Sequence, residues 1–139
     1  MTNASAIAVD PARLEAAVDR ILGKPFRMLA RGPGEFYCLG LWLYLLEEAQ
    51  GIWIEDPFIR PTLDSITSFW RRFLPVPFEK VRPLDAFYHH NADGVTSHVS
   101  VIESTRWAVD VTPLGVVRTP YHEARARAEK AYRVRMEVQ

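Results

Sequence analysis

The chain has 139 residues, 48% hydrophobic and 24% charged, a length and balance that suit one folded domain around one core. Lys and Arg number 17 and Asp and Glu 17, so no net field points to nucleic acid or to an anionic membrane as partner. The single cysteine, Cys38, excludes an internal disulfide and any site built from several cysteines, and the longest apolar run, Leu39 to Leu46, is far short of the roughly 20 residues that cross a bilayer.

Residues 1–9 are small and polar and read as a flexible N-terminus of a single domain spanning 1–139. No basic segment followed by an apolar one stands there, so the expectation is synthesis in a bacterial cytoplasm without a secretory signal. Asp10 as cap and Pro11 at the first helical position open a helix whose apolar face is Leu14, Ala17, Val18, Ile21 and Leu22, with Gly23 as its stop. A Gly- and Pro-bearing loop, Arg31-Gly32-Pro33-Gly34, leads into Tyr37 and Cys38. From Cys38 the sequence reads as one apolar helix ending at Gly51, a residue suited to the left-handed position past a helix end. Residues 52–57 read as a short extended piece. Thr62 or Asp64 caps a further helix through Ile66, Phe69, Trp70 and Phe73, which Pro75 and Pro77 stop.

Phe78 to Val81 reads as extended, and Pro83-Leu84-Asp85 as a turn into a strand over Ala86 to His90. Asn91-Ala92-Asp93-Gly94 is a hairpin signal. A strand over Ser97 to Glu103, a turn at Ser104-Thr105 and a strand over Trp107 to Thr112 follow, with Val116 to Arg118 as one more short strand. Glu123 to Lys130 is expected as a helix or turn, and Tyr132 to Val138 as a last alternating strand. Helices first and a strand meander after give an α+β class, with the helices on one side of an antiparallel sheet.

The chemistry concentrates at the start of the second helix. The first N–H groups of a helix lack intrahelical partners and the dipole favours an anion there, so a thiolate at Cys38 is placed as a nucleophile. An ordinary buried cysteine is the plain alternative. A thiol nucleophile needs an imidazole at the sulfur and a third polar group on the far ring nitrogen. His98 opens the strand after the hairpin, and Asp110 stands twelve residues later on the antiparallel neighbour, so Asp110 or Thr112 falls across the ladder from it. His89 and His90 sit by the turn and His122 in a polar tail. A metal centre on His89, His90 and His98 has neither a helical histidine pair nor cysteine spacing to support it, so no metal is expected.

Together these residues resemble the NlpC/P60 family of papain-like cysteine peptidases, and most closely its phage tail-associated branch. The resemblance is carried by Gly23-Lys24-Pro25-Phe26-Arg27, by Tyr37-Cys38-Leu39-Gly40-Leu41, by Gly51-Ile52, by Pro83-Leu84-Asp85 and by His98-Val99-Ser100-Val101. It implies Cys38 as nucleophile, His98 as general base and then acid, Asp110 as the residue that orients the ring, and the Cys38 N–H as part of the oxyanion hole. It implies no cofactor. The sequence departs from the family at two positions. Tyr37 replaces the usual Asp before the cysteine, and Phe26 replaces a tyrosine twelve positions before it, so Tyr37 and Phe26 are the candidates on the oxyanion and substrate side. Leu84 stands where the family has Gly before Asp85. The function implied is cleavage of peptidoglycan stem peptides during phage entry, with other tail proteins as partners and the virion tail at the host envelope as setting. The alternative is a structural tail-tip subunit with little or no activity, which the four tryptophans and the Phe69-Trp70-Arg71-Arg72-Phe73 run would serve as an interface.

Overall fold

A computed structural model describes residues 9–94 and 97–135. Helix α1 (Pro11–Ile21) starts as its sequence dictates: the Asp10 carboxylate accepts from the Ala12 and Arg13 N–H groups, and Leu14, Ala17, Val18 and Ile21 are buried. Helix α2 (Cys38–Gln50) is buried almost all round and ends at Gly51, whose φ is 70°. Helix α3 (Leu63–Trp70) is closed by a reciprocal cap between Thr62 and Ser65.

Six strands follow: β1 (Phe73–Pro75), β2 (Ala86–His90), β3 (Ser97–Ile102), β4 (Trp107–Thr112), β5 (Gly115–Pro120) and β6 (Lys130–Val134), with helix α4 (Tyr121–Arg127) between the last two. Every pairing is antiparallel, in the order β1-β6-β2-β3-β4-β5. The fold is α+β. Strands β2 to β5 form the expected meander, but β6 turns back to lie between β1 and β2, and α3 ends at Trp70 so that Phe73, expected in that helix, opens β1.

Other differences are local. Residues 78–80 form a single 3-10 turn instead of an extended piece. Residues 52–57 lie in no strand, β5 is longer than expected, and α4 begins at Tyr121. Residues 1–8 and the far end of the expected 132–138 strand lie outside the described residues.

Alternation along the strands divides the core into two layers. Val99, Val101, Val109 and Val111 join α1 and α2 in the main cluster, while Phe87, Ile102 and Ala108 pack with Ala124 of α4. The sheet is thus covered on both faces, α4 supplying the cover that the sequence reading left open. Two backbone details fix the approach to α2. A Cβ at Gly40 would stand 2.1 Å from the Ala30 carbonyl oxygen, so the incoming loop lies directly on the first turn. Leu84 takes φ 73° where the resembling family has Gly; its carbonyl accepts from the Trp42 indole at 2.8 Å.

Candidate active site

Cys38 is the first residue of α2 and partly exposed, and the helix has no side-chain cap, since Tyr37 makes no capping hydrogen bond. The leading N–H groups of the helix therefore remain directed at whatever lies before the thiol.

The turn after β2 brings the second group. Strands β2 and β3 pair His89 with His98, and the two rings lie 5.2 Å apart. His98 Nε2 meets Asp110 Oδ1 at 2.7 Å, and the same oxygen accepts from the Ser100 hydroxyl. The register of β3 on β4, Val101 with Val109 and Ile102 with Ala108, carried toward the start of β3 sets Ser100 opposite Asp110 and His98 opposite Thr112, two residues further on, so His98 reaches Asp110 along the diagonal. Nε2 being held by Asp110, Nδ1 is the nitrogen left for the sulfur, and Cys38 acts on His98 as a hydrogen-bonding partner.

The electrostatics follow from these contacts. Burial by itself disfavours the charged ring of His98. The hydrogen bonds with Asp110 and Cys38 outweigh it and push the imidazole up to about 9. Burial disfavours the Asp110 anion as well, yet His98, Ser100 and Thr119 together hold it down at about 2. At neutral pH the pair is an imidazolium and a carboxylate. His89 titrates lower than an ordinary histidine, first because it is half-buried and then because His98 and Arg127 are cations beside it. Arg127 of α4 stands 3.5 Å from the second oxygen of Asp110.

Tyr37 and Phe26 are placed differently. The Tyr37 hydroxyl is donated to Asp56, a buried carboxylate whose other oxygen accepts from the Phe58 N–H at 2.8 Å. Burial and that carboxylate drive the phenol far above its usual range. The proton on which an oxyanion role would draw is therefore engaged elsewhere. Phe26 is half exposed on a segment that pairs with Phe36 at the entry to α2, so the family's tyrosine position is held by the backbone but carries no hydroxyl. Arg31 completes this side: Nη1 donates to the Ile54 carbonyl at 2.7 Å and the guanidinium lies 3.8 Å from the centre of the Trp53 ring. Sequence reasoning passed over Ser100, Thr119 and Arg127. Ser100 was legible as a face-mate of His98, whereas Arg127 fell in the Glu123 to Lys130 stretch that read only as a helix or turn.

No protein-family model and no curated protein matches the sequence. Solved structures do match. NlpC2 from Trichomonas vaginalis superposes with a TM-score of 0.65 at 16% identity, over 90% of this chain and 47% of that one. The NlpC/p60 domain of the peptidoglycan hydrolase SagA gives 0.61 at 15% identity, over 91% of this chain and all of the domain. This chain has the NlpC/P60 fold. NlpC1 from Trichomonas vaginalis agrees, with 0.61 at 15% identity over 84% of this chain and 41% of that one. The chain thus spans under half the length of the two Trichomonas proteins and all of the SagA domain. In this NlpC/P60 fold no group of three or more metal-ligating side chains occurs among the described residues, and no helix is long and apolar enough to cross a membrane.

Proposed function

We propose that this chain is a cysteine hydrolase of peptide or amide bonds in cell-wall stem peptides. The observation that supports it is the line from Cys38 through His98 to Asp110, with the 2.7 Å bond fixing the far nitrogen of the ring. The Cys38 sulfur, its proton taken up by His98, adds to the substrate carbonyl carbon, and the oxyanion forms against the N–H groups at the start of α2. Collapse breaks the carbon–nitrogen bond, and His98 gives its proton to the departing amine. A thioester remains. His98, now neutral, takes a proton from water, hydroxide adds to the thioester, and the thiol leaves with the carboxylic product. Asp110 keeps the ring oriented and its charge compensated throughout.

Cell-wall peptide as substrate draws support from the fold shared with the NlpC/p60 domain of SagA, a peptidoglycan hydrolase. The tail-associated setting rests on the sequence resemblance of the Tyr37-Cys38 and His98-Val99 stretches. Under it the chain is made in the bacterial cytoplasm, joins other tail proteins and acts at the host envelope. A second reading, a tail subunit of low activity, draws support from Phe26 and from the engagement of the Tyr37 hydroxyl. These leave the oxyanion to backbone donors, and one missing donor costs about 10²–10³ in rate.

The test is digestion of purified peptidoglycan and of synthetic stem peptides, with products read by mass spectrometry. New amino and carboxyl termini made by the wild type and not by Cys38→Ala support the hydrolase. Intact substrate alongside a Cys38 that reacts with iodoacetamide in a His98-dependent way supports the low-activity reading. A thiol indifferent to His98 overturns both roles for the pair.

A further inference from the structure

The carboxylate of Asp110 is served unevenly. Its Oδ1 takes both His98 and Ser100, while Oδ2, shut away from solvent, faces the Arg127 guanidinium at 3.5 Å. That guanidinium comes from the last residue of α4, on the sheet face where alternation also sets Ser100 and Asp110. The thiol comes from α2, in the opposite layer. The imidazole therefore bridges two layers, and α4 closes the site from behind.

We propose that Arg127 is a positioning residue that acts on His98 through Asp110, its guanidinium drawing charge to Oδ2 so that Oδ1 holds the imidazole without locking it as a cation. The proposal rests on the reading of His98 as the proton-transferring group. A ring gripped by an undivided carboxylate would release its proton to the leaving amine too reluctantly. Dividing the carboxylate's charge between two cations moderates the grip. The groups around the pair fit this division. Cys38 faces the ring from α2, neutral His89 from β2, and the Thr119 hydroxyl adds a further contact with the carboxylate from β5. Glu129, just before β6, acts on His89 and is occupied by the His90 N–H and ring. Arg127 is therefore the arginine placed to offset Asp110. Its side chain is 44% exposed, so its effect must respond to salt.

The test is the titration of the His98 ring by NMR in the full chain, a readout that needs no turnover and so stands apart from the proposed hydrolysis. Arg127→Met should raise the midpoint by about half a pH unit, the size expected of a half-exposed ion pair. Arg127→Lys should hold it near the wild-type value. Salt at 1 M should move the wild type toward Arg127→Met and leave that variant still. In the Asp110→Asn background, Arg127→Met should produce no shift. Where turnover is measurable, kcat should fall in Arg127→Met with KM unchanged. A midpoint indifferent to Arg127→Met, an equal shift in the Lys and Met variants, or a shift that persists in Asp110→Asn overturns the proposal. Failure of peptidoglycan cleavage with the His98 shift intact would sink the hydrolase reading and leave this one standing.

Discussion

Two buried aspartates hold side chains near the thiol, and they do opposite things. On the strand side Asp110 holds the imidazole of His98; on the loop side Asp56 holds the phenol of Tyr37. Both carboxylates are nearly inaccessible, at 2% and 3% exposure. What differs is the partner. An imidazole raised to about 9 remains within reach of proton exchange, whereas the phenol is carried beyond it and becomes a fixed donor. The same carboxylate thus builds a working group or a lock according to the proton affinity of what it binds.

The contrast is broken most severely at the thiol itself. Cys38→Ser should remove hydrolysis by about 10⁴-fold or more while circular dichroism and the melting temperature stay close to wild type. Asp110→Asn comes next. It should lower kcat by about 10²–10⁴ and bring the His98 midpoint down from about 9 toward 6.5, readable by NMR. An unchanged midpoint would mean that Asp110 is not what holds the ring.

Tyr37→Phe sharpens the comparison from the other side. It removes a donor from buried Asp56 and should cost about 1–3 kcal/mol in urea unfolding, while the His98 titration stays where it is. A large change in that titration would join the two flanks into one network. The smallest effect is that of pH on stability. The His98 shift is upward, so its contribution is complete below about 6.5 and is lost as pH rises through about 9. The Asp110 shift is downward, so its contribution is complete above about 3.8 and is lost as pH falls through about 2. The melting temperature should be highest between those limits, and His98→Gln should flatten the alkaline decline.

The two flanks were not equally legible in the sequence. Helix α1 announced itself through Asp10, Pro11 and a regular apolar face, and α2 through Cys38 and Gly51, because caps and periodicity are local signals. The approach of His98 to Asp110 followed from one tight turn and a period of two. Strand β1 and the return of β6 to its side did not, since Phe73 pairs with Val134 across a sequence separation that no local pattern carries. The 3-10 turn at 78–80 was misread because Phe and Val favour strands in general and tertiary packing decided otherwise. Tyr37 showed its position but not its partner: Asp56 arrives from a loop without periodicity. Arg127 shares its short helix with Arg125, and only the placement of α4 behind the sheet singles it out.

The place of β6 has a consequence for how the molecule is born. Emerging from the ribosome, the chain delivers the thiol, the histidine and the aspartate well before Lys130 to Val134 are translated. Until those residues arrive, β1 has no strand beside it and β2 presents a bare edge over Ala86 to Tyr88, an open invitation to strands of other nascent chains. The reactive triplet therefore exists in outline before β6 arrives to cover the facing edges of β1 and β2.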